Sequence, residues 1–324
     1  MEVQPFDDAM LDSLVALLNE AIAGRRCAAP VEAEEFRQRV LSHPGFDPAG
    51  LLVIADSDGR LAGAVHAIRP PAHMPRYARL AGQGYIFGPY VSGDTRGQGL
   101  GRALLAEAEG YLSASCETIF IHGLRSPFYH TQEGPRQPYC GSTEVIGLTI
   151  DDAALLEFLE RGGYRPVQER EISMVALLRP LDPPAHVPEG VTLARVTPEN
   201  PWQGPIAWVP DAAAGYGYEQ FSPMARYDSL VIAQGATMLG HCQWYPMRRP
   251  GRAVLFDLRL DPSLRGLGLG SLLLDGALAA MAEAGYREVE LHTSPQRNEI
   301  AYMMYQARGF REVAEWIILE KSLK

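Results

Sequence analysis

Two glycine-rich turns carry the most specific chemistry in this sequence. Arg96-Gly97-Gln98-Gly99-Leu100-Gly101 recurs as Arg265-Gly266-Leu267-Gly268-Leu269-Gly270, an offset of 265 − 96 = 169 residues. A strand that runs into glycines and then a helix makes an anion site. The glycines let backbone approach a ligand closely, and the free amides of the first helical turn point at it. A nucleoside-triphosphate loop needs G-x-x-x-x-G-K-[ST], and no Lys follows either turn. A dinucleotide fingerprint, G-x-G-x-x-G, needs glycine where Leu104 and Leu273 stand. Both of these readings therefore fail.

The elements that must hold these turns are repeated with them. Strand-like segments precede them, Gly84 to Val91 and Ala253 to Leu260. Helix-like segments follow, Arg102 to Leu112 and Ser271 to Ala284. Next come Thr118 to His122 and Glu288 to His292, offset by 170, and each half ends a later helix in Gly-aromatic, Gly163-Tyr164 and Gly309-Phe310. The last offset is 309 − 163 = 146, so the first half carries about 24 more residues (170 − 146) before its last helix. That insertion, about 125–150, holds Phe128, Tyr129, His130, Tyr139 and Cys140. It either covers a ligand or packs against the other half. A period near 170 is a domain duplication, too long for a solenoid repeat. Four prolines within 179–189 read as an extended linker. The expected division is an N-terminal domain at 1–179, a linker at 180–189 and a C-terminal domain at 190–324.

Within the first domain, Val3 to Phe6 reads as a strand. A helix follows, capped by Asp7 or Asp8, with Leu11, Leu14, Leu17 and Leu18 at helical spacing. Leu51 to Ala55 and Leu61 to His66 read as a hairpin about Asp58-Gly59. The second domain opens similarly at Val191 to Val196. Its equivalent of the early helices is broken by Pro198, Pro201, Pro205, Pro210 and Pro223.

The turns, read as Arg/Gln-x-x-Gly-x-Gly/Ala after a fourth strand, resemble those of the GNAT superfamily of N-acetyltransferases. The run Asn298, Ala301, Tyr305, Gly309, Phe310 is similar to that family's N-x-x-A-x-x-x-Y-x-x-x-G-F. The resemblance implies an α/β (α+β) fold of two tandem GNAT domains. Each would be a mixed, mostly antiparallel twisted sheet flanked by helices, with the fourth and fifth strands splayed. It implies acetyl-CoA as co-substrate and no metal. The pyrophosphate would lie on Arg265, Gly266, Leu267, Gly268, Leu269 and Gly270, and on Arg96, Gly97, Gln98, Gly99, Leu100 and Gly101 if the first copy binds too. The pantetheine arm would run along Leu258, Arg259 and Leu260, or Pro89, Tyr90 and Val91, with Asn298 beside it and the Leu260 amide facing the oxyanion. Tyr305 would be the general acid. Leu159 stands where Tyr305 would, and the insertion replaces the Asn segment, so the first domain is expected to be catalytically degenerate.

The base is left open. Asp257 lies two residues before Arg259, on one face of a strand, and either pairs with it or accepts a proton. His292 ends the fifth strand and titrates in the useful range; His122 is its counterpart. The implied reaction is acetyl transfer to a primary amine of a small-molecule acceptor by direct attack. A peptide acceptor, or a non-catalytic acyl-CoA-binding role, is the alternative.

Composition narrows the partners. The 324 residues are 47% hydrophobic and 21% charged, an ordinary globular balance. A net charge of −10 argues against nucleic acid and anionic membranes. Cys27, Cys116, Cys140 and Cys242 form no C-x-x-C pair, which argues against zinc. With no signal-like N-terminus and no long apolar run, a cytoplasmic protein is expected. The duplication leaves a homodimer and an intrachain pseudo-dimer both open. Only Lys321 and Lys324 are lysines, so any other cationic side chain on a phosphate is Arg.

Overall fold

In a computed structural model of the chain, the residues described are 2–24, 29–71, 75–121, 129, 148–167, 169–179, 187–207 and 227–324. They divide into two compact units. Unit 1 comprises Met1–Gln168 and Trp316–Lys324, and unit 2 comprises Glu169–Glu315.

Unit 1 is built on β1 (Val3–Pro5), β2 (Leu51–Ala55), β3 (Leu61–Ile68), β4 (Gln83–Val91) and β5 (Thr118–Ile121). The short strands β6 (Leu148–Thr149) and β7 (Arg165–Pro166) follow. The β2–β3 hairpin turns through Gly59, whose φ of 79° suits a residue without a Cβ. Alternation along β2 sorts side chains by face. Leu51 and Val53 pack with Leu11, Leu14, Leu17 and Leu18 of the Leu11–Ile22 helix. Leu52 and Ile54 pack with Leu104, Leu105 and Leu112 of the Leu100–Ser113 helix and Leu159 of the Ala153–Arg161 helix. Asp7 caps the 3-10 turn ahead of the first helix, accepting from the Ala9 amide at 2.9 Å, whereas the helix itself has Met10 at its N-cap with no side-chain bond.

Unit 2 repeats the plan with β8 (Glu171–Leu177), β9 (Thr192–Val196), β10 (Asp228–Gln234), β11 (Thr237–Pro246), β12 (Arg252–Leu260), β13 (Glu288–Thr293) and β14 (Arg311–Ile317). Its order is β14-β8-β13-β12-β11-β10-β9. Trp244, Leu255, Val289 and Leu291 face the Leu269–Glu283 helix, whose Leu273, Leu274, Ala277 and Met281 are buried against them. The last strand, β15 (Leu319–Ser322), lies in unit 1 between β5 and β7.

The compact units thus differ from the division at 180–189. β8, encoded by the first repeat, pairs with β13 along its length, Thr293 opposite Ile172. β15, encoded by the second, pairs with β5, Leu319 opposite Ile121. Each repeat gives its last strand to the other repeat's sheet, which no reading of consecutive segments reveals.

Both sheets are mixed and mostly antiparallel, and in unit 2 the parallel pairing of β12 with β13 opens part-way. β12 pairs with β13 only from Arg252–Glu288 to Leu255–Leu291. Among the described residues, β4 pairs with β5 from Gln83–Thr118 to Ile86–Ile121. A bulge marks both β12 and β4. Gln243 faces Asp257 and Trp244 faces Leu255, leaving Phe256 over. Likewise Ala64 faces Tyr90 and His66 faces Phe87. The extra residue on β12 bends it away from its parallel neighbour.

Candidate active site

The opening in unit 2 is edged by Asp257, Leu258, Arg259 and Leu260 of β12. The Asp261 amide bonds to the Leu239 carbonyl on β11 at 2.8 Å. Alternation along the ladder turns the preceding amide, that of Leu260, to the opposite edge of β12, where β13 has parted. The Ser92 amide bonds to the Ala62 carbonyl at 3.0 Å in unit 1, which turns Val91 the same way.

Below the opening lies the glycine turn. Gly266 and Gly268 hold φ of 80° and 76°, and a Cβ at either would meet nothing within 4 Å. Gly268 is also the N-cap of the Leu269–Glu283 helix, with no side chain capping it. The first-turn amides therefore face open ground, as an anion requires. Arg265 and Leu267 are exposed beside them. Unit 1 keeps the device: Gly97 and Gly99 hold φ of 78° and 84° before an uncapped helix.

Tyr305 lies on the Glu299–Gln306 helix, 6% exposed, its ring 5.6 Å from that of Phe310. It packs with Cys242, Leu255 and Leu258 on the helix side of the sheet. Burial raises its phenol well above the ordinary tyrosine range, and the nearby Cys242 and Asp257 charges add to this. The hydroxyl therefore stays protonated. Asn298 caps the helix start from an exposed position, its amide 3.5 Å from the Thr293 hydroxyl.

Asp257 and Arg259 lie on the other face, set there by the bulge and opposite Gln243 and His241. His241 on β11 comes within 2.7 Å of Asp257, Nε2 to Oδ2. The His241 side chain is 3% exposed and that of Asp257 25%. Arg259 Nε is 3.8 Å from the same carboxylate. Burial pushes the Asp257 carboxyl up. The hydrogen bond and charge of His241, the Arg259 charge and the Leu258 amide outweigh it and hold the group below the usual carboxylate range.

His292 directly follows Leu291, the last residue of β13 paired with β12. Its Nε2 is 3.0 Å from Glu171 Oε2, and Arg297 reaches the same buried carboxylate, so this cluster ties β13 to β8. His122 lies outside the described residues.

Sequence reasoning brought Asp257, Arg259 and Tyr305 to one opening. It missed His241 and Glu171. His241 is signalled only by hairpin register across a bulge, and Glu171 belongs to the strand received from the other repeat.

Unit 1 differs at each chemical position. Register puts Ala64 where His241 stands, and the 169-residue offset puts Gly88 where Asp257 stands; Leu159, fully buried, takes the place of Tyr305. Pro89, Tyr90 and Val91 end β4, where Tyr90 and Val91 pair with Ala64 and Gly63 of β3. Tyr129, from the insertion, stacks on Phe87 with centroids 3.8 Å apart and bonds to His66 at 2.9 Å. This part of the insertion packs on its own unit. Phe128, His130, Tyr139 and Cys140 lie outside the described residues.

Splayed parallel strands over a glycine turn in unit 2, with the turn repeated in unit 1, define an acyl-transfer fold, and the comparisons agree. The model of the acetyltransferase (GNAT) family matches residues 14–127 and 196–310, so the chain belongs to that family and is an acyltransferase of its type. More particularly, it is similar over nearly its whole length to mycothiol acetyltransferases. It is 26% identical to that of Beutenbergia cavernae, over 96% of this chain and 97% of the relative. It is 27% identical to that of Geodermatophilus obscurus, over 95% and 93%. Among solved structures, a tandem GNAT protein from the clavulanic acid biosynthesis pathway shares the fold at TM-score 0.68 and 18% identity, covering 99% of this chain and 98% of that one. Among the described residues no helix is long and apolar enough to cross a membrane, and no group of three or more His, Cys, Asp or Glu side chains is placed to hold a metal.

Proposed function

We propose that unit 2 transfers an acetyl group from acetyl-CoA to the primary amine of a small-molecule acceptor by direct attack in a ternary complex. The carrying observation is the unit 2 opening. A protonated Tyr305 lies on one face of the sheet there, an ionised Asp257 on the other, and the Leu260 amide on the edge between them.

Acetyl-CoA supplies a thioester carbonyl and a thiolate leaving group. The turn from Arg265 to Gly270 holds its phosphates through backbone amides. Leu258 to Leu260 offer an unpaired strand edge to its arm, next to Asn298. Asp257 accepts the proton the amine must lose as the C–N bond forms. The Leu260 N–H donates to the carbonyl oxygen as it gains charge, and Tyr305 gives its proton to sulfur as the C–S bond breaks. Solvent then restores both groups. Unit 1 keeps the phosphate turn and lacks the acid and the base, so its role is donor binding without transfer.

The test is release of CoA thiol from acetyl-CoA against a panel of amines, headed by the acceptor of the mycothiol acetyltransferases and including aminoglycosides, amino acids and peptides. Amine-dependent thiol release with mass gain on the amine is expected. Acetyl-CoA binding with no turnover across the panel would instead favour a purely binding role.

A further inference from the structure

We propose that His241 is a positioning residue for the proton acceptor of unit 2, fixing the Asp257 carboxylate so that one oxygen faces the acceptor amine. The inference rests on Asp257 being that acceptor. An ionised carboxylate only accepts hydrogen bonds, so the 2.7 Å contact requires the proton on His241 Nε2, directed at Oδ2. The imidazole lies behind the carboxylate: 3% of it is exposed, against 25% of Asp257. It cannot itself meet a substrate, whereas the carboxylate can.

The sheet builds the contact deliberately. In an unbroken ladder, the residue opposite Gln243 would be Phe256. The bulge advances the strand by one residue, bringing Asp257 opposite Gln243 and Arg259 opposite His241. That places Asp257 and His241 diagonally across one face, within reach of each other. The first repeat keeps a bulge and has neither side chain, with Ala64 in register with His241 and Gly88 at the 169-residue offset from Asp257. Loss of both members at the degenerate site is what a working pair predicts.

The groups around Asp257 are His241 and Cys242 from β11, Arg259 from its own strand and Tyr305 from the Glu299–Gln306 helix. Of these, His241 makes the hydrogen bond and Arg259 stands farther off at 3.8 Å. Removing the imidazole frees the carboxylate to rotate and removes a donor that favours its ionised form.

The experiment compares Asp257→Asn, His241→Ala and His241→Gln. Gln places an amide N–H as many bonds from Cβ as Nε2 and retains a donor. His241→Ala should lose kcat by roughly ten- to a hundredfold, the range for a hydrogen bond to a charged group. Its KM for acetyl-CoA should hold, and the acid limb of kcat/KM should move up by about one pH unit. The carboxyl 13C titration of Asp257 in the free enzyme should move the same way. His241→Gln should restore both readouts. If His241→Ala does not fold, His241→Leu takes its place.

An unmoved acid limb and carboxyl titration in the alanine or leucine variant, with Asp257→Asn inactive, would overturn the positioning role and leave the base assignment standing. An active Asp257→Asn would overturn the base assignment itself, whatever His241 does.

Discussion

Leu159 and Tyr305 are the same position in two copies, 305 − 159 = 146 residues apart, both buried, one with a hydroxyl and one without. The spacing matches the 146-residue offset of the following glycines, Gly163 and Gly309, which hold φ of 91° and 81°. The helix and its stop are preserved while the proton donor is not.

The two glycine turns should therefore contribute unequally. Gly99→Val and Gly268→Val each place a β-branched residue at positive φ, where only glycine is unstrained, on ground that is otherwise open. With acceptor saturating, Gly268→Val should abolish turnover and Gly99→Val should retain most of it. Equal losses of kcat in folded proteins would mean two working sites.

Tyr305→Phe keeps the ring against Phe310 and removes the proton. A drop in kcat of roughly 100- to 10,000-fold, with little change in acetyl-CoA affinity, is expected. Because burial raises the phenol, wild-type enzyme should show no basic limb from this residue up to pH 10. A variant within about threefold of wild type would make Tyr305 a packing residue, below the general-acid range.

The Glu171–His292–Arg297 cluster should serve stability rather than turnover. Glu171 is 2% exposed and is reached by both His292 and Arg297. Glu171→Ala should lower unfolding free energy by about 1.5–3 kcal/mol, the usual contribution of a hydrogen bond to a charged group. Urea unfolding measures this. His292→Gln should leave the acid limb of kcat/KM unmoved; a shift would bring His292 back as the base.

His66 makes unit 1 acid-sensitive. Burial lowers its pKa to about 3, from 6.5 in the unfolded chain, despite the opposing charge of Asp47. The unfolded state binds the proton first, so stability is complete above 6.5 and falls as pH drops from 6.5 towards 3. Between pH 7.5 and 5.5 the loss is about 1 kcal/mol. His66→Gln should flatten that part of the urea stability profile; an unchanged slope would place the sensitivity elsewhere.

Local requirements were legible in the sequence. The glycine turns, the Asp58-Gly59 hairpin and the Leu11–Leu18 helix face each follow from conformational freedom or side-chain spacing within a few residues. Tyr305 was legible through its spacing to Gly309. Relations across strands were not. His241 reaches Asp257 only because a bulge shifts register, and Glu171 reaches His292 only because a strand changes sheets. Tyr129 packs on Phe87, a non-local aromatic contact that carries no periodic signal.

The placement of β15 has a consequence during synthesis. Ile121 waits for Leu319, and 319 − 121 = 198 residues must be made before that edge of β5 is covered. At about 5–20 residues per second, this leaves a bare strand edge on the nascent chain for roughly 10–40 s. The first repeat therefore cannot finish folding on the ribosome in N-to-C order. Its closing strand emerges after the second repeat's glycine turn and tyrosine helix, which ties completion of the first unit to prior synthesis of the copy that carries Tyr305.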